Sequence, residues 1–259
     1  MTKRILFSIG ALLALLPWGA VAESSPQVSV PPGFVSKTQA LNSAYELLRD
    51  GAYNNEPLGR LETDYEGARR ALVEAALPPE PEALWRSRIE YILGRGYKSQ
   101  SAVAKALPHF EQGLGFAEAA LRLGSSSEGW RMRSENFTQL CLLKGAGYLL
   151  ANGKKMITFA EKAVQLDSGN AAALIILANS KIFPPPLFGG DPAAGVRLMQ
   201  LALAQGNAGR DDLFNIYSGI GLAYEKLKDR GAAREWDLKA LALYPANLFA
   251  LQQYSRVRG

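Results

Sequence analysis

The chain of 259 residues contains a single cysteine, Cys141, and a single histidine, His109. One cysteine excludes an internal disulfide. One histidine excludes a two-histidine metal site, and its separation from Cys141 argues against a Cys–His dyad. Cys141 lies in the apolar stretch FTQLCLLKGAGYLL, where a small buried thiol is the ordinary occupant. His109 lies in KALPHFEQGL and reads as a surface or half-buried helix residue. β-strand signals are scarce. Charge of one sign is not dominant either: the formal net charge is +5, a weak attraction for nucleic acid or an acidic membrane, and no nucleic-acid partner is expected.

Long hydrophobic runs are also lacking. The longest begins the chain, in MTKRILFSIGALLALLPWGAVAES. Lys3 and Arg4 precede an apolar run from Ile5 to Leu16, Pro17 and Gly19 break it, and Ala20-Val21-Ala22 offers small residues to a signal peptidase. This is the layout of a secretory signal peptide, residues 1–22. The competing reading is an uncleaved anchor, but the run falls short of the ~20 residues that span a bilayer. No cysteine follows the small residues, so a lipoprotein anchor is not expected. Cleavage after Ala22 removes two positive charges, taking +5 to +3, and implies a periplasmic or secreted protein with no later transmembrane segment. Residues 23–35, polar and Pro-rich, read as a flexible leader.

From Ser36 to Gly259 nearly every segment has helical periodicity. The clearest unit is FNIYSGIGLAYEKLKDRGAAREWDLKALALYPAN, Phe214 to Asn247. Tyr217, Ile220, Gly221 and Tyr224 mark a first helix. A turn falls near Lys228–Arg230. Ala233, Trp236 and Ala240 mark a second helix, and Pro245 ends it because proline lacks the N–H that a helix interior requires. Small residues at Gly221 and Ala233 suit a close helix crossing. The unit before it joins EKAVQLDSGNAAALIILANSK, with Ala163, Leu166, Leu174, Leu177 and Ala178, to a helix carrying Gly195, Met199 and Ala202. Between its two helices stands KIFPPPLFGGDPAAG. The prolines close the first helix at Phe183, Gly189-Gly190 permits a reversal, and Asp191 caps the next helix with Pro192 at its first position. Leu187 and Phe188 are expected to fold back onto the array.

The pattern of large residue, Gly, Tyr, then Ala, aromatic, Ala and Pro resembles the tetratricopeptide repeat (TPR), a helix-turn-helix unit of about 34 residues. One departure is Asp237, where an apolar residue is usual. The PPPLFGGD stretch is similar to a short insertion in exported bacterial TPR proteins and carries no activity with it. The resemblance implies an all-α, TPR-like α-solenoid of about five antiparallel helix pairs over residues 36–259. Earlier pairs are expected at Ser36–Ala52 with Thr63–Ala76, Pro81–Tyr97 with Ala102–Leu123, and Ser127–Asn152 with Lys154–Leu166. A C-terminal helix, Ala246–Val257, would cap the stack, as solenoids require. The competing fold is one irregular helical bundle.

No catalytic constellation emerges. GRGYKS lacks the glycines of a phosphate loop, and GLGFAEA and SGIGLAY lack the third glycine and the preceding strand of a dinucleotide site. Asn136-Phe137-Thr138 matches a glycosylation sequon inside a helix. The acidic pairs Asp211-Asp212 and Glu62/Asp64 read as helix-start residues facing the dipole. No cofactor is implied.

One pattern stands out. EALWRSR and SEGWRMR both place Trp-Arg-x-Arg at the start of a first helix, 45 residues apart. First helices line the concave groove of this architecture, so Arg86, Arg88, Arg131 and Arg133, extended by Arg95, would form a basic ladder. Residues i and i+2 point about 200° apart on a helix, so one arginine of each pair would face the groove squarely. TPR proteins hold peptide C-termini on basic groove residues, and the resemblance implies a similar use here. The expected function is therefore a non-catalytic exported scaffold binding a protein or peptide partner, in a cell-envelope assembly or transport complex. The alternative is a carrier of small organic anions, with a pocket closed by the arginines and the PPPLFGGD loop near Phe188.

Overall fold

The structure, a computed structural model, describes residues 32–259. The expected signal peptide, and all of the expected leader except residues 32–35, lie outside the described residues. Among the described residues there are eleven α-helices and no strand. Five helical hairpins follow one another: α1 (Pro32–Tyr53) with α2 (Leu58–Ala75), α3 (Pro79–Ser99) with α4 (Val103–Leu123), α5 (Ser127–Leu143) with α6 (Ala146–Leu166), α7 (Ala171–Ile182) with α8 (Pro192–Ala204), and α9 (Arg210–Lys226) with α10 (Arg230–Leu243). The last helix, α11 (Leu248–Val257), packs on α9 and α10. None of the described helices is long and apolar enough to cross a membrane.

Local chemistry sets the helix starts. Ser126, Asn170, Asp191, Asp229 and Asn247 each accept a hydrogen bond from a backbone N–H three residues on, at 2.9–3.3 Å. These side chains satisfy amides that the first helical turn leaves without partners. Two expected boundaries are corrected. Helix α2 begins directly after Pro57, not at Thr63, because Pro57 O already accepts Arg60 N–H at 2.8 Å. The third hairpin turns at Gly145, not at Asn152-Gly153. Gly145 has φ 94°, a conformation that disfavours any residue with a Cβ, while Gly153 sits inside α6.

Small residues let the helices approach closely. Ala106, Ala117, Ala163, Ala202, Ala233 and Ala240, all on second helices, are fully buried. Gly221 of α9 faces Asp237 of α10 so closely that a Cβ there would overlap the Asp237 carboxylate. Gly113 of α4 is in the same relation to Asn136 of α5. The departure noted at Asp237 is thus a packed one: its side chain is buried against a glycine, with Oδ1 lacking a hydrogen-bond partner among the described residues.

The first helices form the inner layer. Contacts run from α1 to α3, α3 to α5, α5 to α7 and α7 to α9, and α9 returns to α1. The superhelix therefore closes on itself. Tyr53 at the end of α1 stacks on Tyr244 at 4.8 Å, and Phe214 of α9 meets both rings edge-on at 5.3 and 5.4 Å. Asn247 Nδ2 donates to Tyr53 O at 2.7 Å, and Asn55 Nδ2 donates to Ala246 O at 2.7 Å. Tyr244 and Phe214 belong to the same apolar core as Leu41, Leu48 and Leu61, so the closure is a continuation of the core.

Candidate functional site

Closure of the inner layer shapes a half-open cavity of about 410 Å³ lined by residues of α1, α3, α5, α7 and α9 and of the segments leading into α7 and α9. That size lies within the ~300–1,000 Å³ of small-molecule sites. Its wall is mainly polar. Helix α5 contributes Glu128, Arg131 and Glu135, spaced so that they share one helical face. Arg131 Nε donates to Glu128 Oε2 at 2.7 Å and its Nη1 to Glu135 Oε2 at 2.6 Å. Arg88 of α3 donates through Nε to Glu128 Oε1 at 2.8 Å. Helix α9 brings Asp211 and Asp212 in its first turn, and α1 and α3 bring Tyr45, Tyr53 and Tyr91. Asp167, Asn207 and Gly209 are the exposed members.

The electrostatics follow from crowding these charges together. Burial acts against ionised Glu128, but the two guanidinium groups beside it hold its carboxyl well below the usual range. Burial raises Glu135 above its ordinary value, with the charges of Glu128 and Asp211 adding to the effect and Arg131 and Arg95 opposing it. Burial, then the neighbouring Asp211, pushes Asp212 up to about 7. Tyr45 is raised chiefly by burial and secondarily by Asp211.

Two of the five arginines of the expected ladder line the cavity, and three do not. Arg88 and Arg131 lie on the cavity wall, each held by carboxylates. Arg95 stands behind the wall, over the Tyr53 ring at 4.7 Å and with Nη1 on Tyr91 Oη at 3.3 Å. Arg86 lies elsewhere, in a second cavity of about 300 Å³ between α2 and α3, bonded to Glu82 at 2.9 Å. Arg133 also lies elsewhere, over Phe159 at 4.2 Å and paired with Glu118 at 3.1 Å. The i, i+2 spacing accounts for the split. Sequence reading passed over the acids that share the wall: Asp211 and Asp212 do occupy a helix start, but tertiary closure turns that start towards the arginines of α5.

Leu187 and Phe188 do not fold back. They form a 3₁₀ turn with Pro186 and stand 88% and 70% exposed. The loop is fixed by its own backbone instead: Gly190 N–H donates to Pro185 O at 3.1 Å and Asp191 N–H to Lys181 O at 2.9 Å. Gly189 is left-handed at φ 83°, and a Cβ at Gly190 would overlap Pro184 O. Neither cavity described above is lined by this loop.

The remaining candidates lie in packed surroundings. His109 Nδ1 lies 2.6 Å from Glu90 Oε2, Tyr65 Oη donates to the other Glu90 oxygen at 2.7 Å, and Tyr97 stacks on the imidazole at 5.4 Å. Cys141 is fully buried and burial raises its pKa, the opposite of what activates a thiol. Asn136 is fully buried and donates to Ser87 Oγ and Met132 O, so the sequon is closed to modification in the folded chain.

No protein-family profile and no curated protein sequence matches the chain. Among solved structures, the chain is similar to TTC0263, a thermophilic TPR protein of Thermus thermophilus, at 18% identity and a TM-score of 0.54, over 86% of this chain and 98% of that one. It is also matched, at 17% identity and a TM-score of 0.37 over 85% and 98% of the two chains, to YrrB, a TPR protein described as having an unusual peptide-binding site. The ordered hairpins, the inner layer of first helices and the first of these similarities together show an all-α, TPR-like solenoid.

Proposed function

We propose that the protein is a non-catalytic exported scaffold that holds a protein or peptide partner on the inner face of its solenoid. The observation that carries this reading is the convergence of five first helices on one mainly polar cavity that reaches the surface at Asp167, Asn207 and Gly209. A rigid helical layer that presents polar groups inward suits recognition of an inserted segment. The histidine and the cysteine are both committed to packing, which supports a binding role over nucleophilic chemistry. The N-terminal sequence supports export to a periplasm or the exterior, where the partner would belong to an envelope-assembly or transport complex.

The test is crosslinked capture from the native cell envelope with tagged mature protein, beside an Asn207→Trp variant. A bulky ring at this exposed position blocks the mouth whatever the charge of the ligand. A partner recovered by the native protein and lost with Asn207→Trp supports inner-face binding. Equal recovery by both moves the site off the inner face.

A further inference from the structure

The cavity has an unequal charge inventory. Five carboxylates line it, those of Glu128, Glu135, Asp167, Asp211 and Asp212, against two guanidinium groups, those of Arg88 and Arg131. Adding Arg49 and Arg95 from behind the wall brings the cations to four and does not balance it, because Arg49 is shared between Asp50 at 3.0 Å and Asp211 at 3.9 Å. The arginines are also occupied. Arg88 is spent on Glu128, and Arg131 uses Nε, Nη1 and Nη2 on Glu128 and Glu135. Asp212, in contrast, has no basic group within ion-pair distance among the described residues. An anion entering the cavity would meet this acidic excess and find the guanidinium donors already committed. A cation would be drawn in.

The geometry points to a cationic nitrogen group, an ammonium or guanidinium, as the occupant of this cavity, seated against Asp212 and Glu135 and flanked by Tyr45, Tyr53 and Tyr91. The inference rests on the inner-face reading above and reverses the sign of ligand that the arginine pattern suggests. The raised pKa values of Asp212 and Glu135 agree with it: both carboxylates are held in a burial that disfavours their charge, and an incoming cation relieves that cost. The tyrosines supply hydroxyl acceptors suited to an N–H donor, while the rings of Tyr53 and Tyr91 already carry Arg95 at 4.7 and 5.9 Å. A metal ion is a poorer fit, since no group of three carboxylate, His or Cys ligands converges among the described residues. The same chemistry has two sources: a basic side chain of the bound partner, or a free amine.

The experiment is isothermal titration calorimetry on the mature protein at low salt with three probes: acetyl-Gly-Lys-Gly-amide, cadaverine and glutarate. Both cationic probes, or one of them, should bind, glutarate should give no heat, and Asp212→Asn should weaken the cation by about tenfold or more, as expected for loss of a buried charge partner. Glu135→Gln is the second variant, and circular dichroism checks that each remains folded. Tighter binding of the lysine peptide assigns the site to a partner's side chain; tighter binding of cadaverine assigns it to a free amine. Binding of glutarate alone, absence of heat from both cations, or cation binding unchanged in both folded variants overturns the inference. Failure of the two readings is distinguishable: if Asn207→Trp abolishes partner capture while neither cationic probe gives heat, the scaffold stands and the cation site falls.

Discussion

Tyr53 and Tyr244, from the first and last hairpins, stack ring on ring at 4.8 Å, and the Tyr244 hydroxyl donates to Asp50 Oδ1 at 2.9 Å. Asp50 also receives Arg210 Nη1 on its second oxygen at 2.5 Å. This contact converts an open array into a closed turn and so creates the cavity. Tyr244→Ala should destabilise the protein by about 3–5 kcal/mol, the range for deleting a large buried aromatic side chain. Chemical denaturation measures the loss, and small-angle scattering should show a larger radius as the ends separate.

Arg131 holds two carboxylates at once on the cavity wall. Arg131→Met leaves Glu128 and Glu135 without their shared partner and should cost about 3–5 kcal/mol, because a buried charge is left uncompensated. Adding Glu135→Gln to the same chain, with Glu128 left to its pair with Arg88, should recover part of that loss. Stability that fails to return in the double variant would show that the arginine acts through packing and not through charge.

Asp237 is buried against Gly221, and its carboxyl is pushed up to about 7, first by burial and then by the charge of Glu225. The folded state therefore keeps a proton that the unfolded chain, at the ordinary value of 3.8, releases earlier. Stability should fall as pH rises through this window. Asp237→Asn keeps the shape and removes the ionisation. Its melting temperature should exceed that of the native protein at a pH above the window, and the gain should shrink towards zero below it.

Gly221→Leu places carbon where the Asp237 carboxylate now lies, with Ala233 O a further 3.4 Å neighbour. Overpacking of this kind should destabilise the last hairpin by about 1–3 kcal/mol. An unchanged thermal midpoint would mean that α9 and α10 separate without cost.

The PPPLFGGD turn gives the opposite expectation. Leu187 and Phe188 are exposed, so Leu187→Ser with Phe188→Ser should change stability by less than about 0.5 kcal/mol. Gly190→Ala should cost more than both, since its Cβ would meet Pro184 O.

Helix period, caps and breakers are local, and the sequence carried them. Asp191-Pro192, the glycine pair, the small residues at Gly221 and Ala233 and the proline after α10 were enough to place the last two hairpins. Locality also explains the errors. Asn152-Gly153 looks like a turn in sequence, but Gly145 bears the positive φ. Leu187 and Phe188 look like core residues by type, but the loop's own hydrogen bonds hold it without them.

Along the chain alone, the residues spell out a row of five helix pairs, with Trp-Arg-x-Arg at the start of the first helices α3 and α5. Which way those side chains work is set by the folded superhelix. Closure through Tyr53, Tyr244 and Asp50 sets Asp211 and Asp212 on the same cavity as Arg88 and Arg131. The physical reason is that Coulomb interactions depend on distance through space, and charges 80 to 124 positions apart along the chain meet only once the superhelix has turned back on itself. A pattern that reads as basic along the chain thus becomes, in the folded molecule, a cavity with an excess of acid.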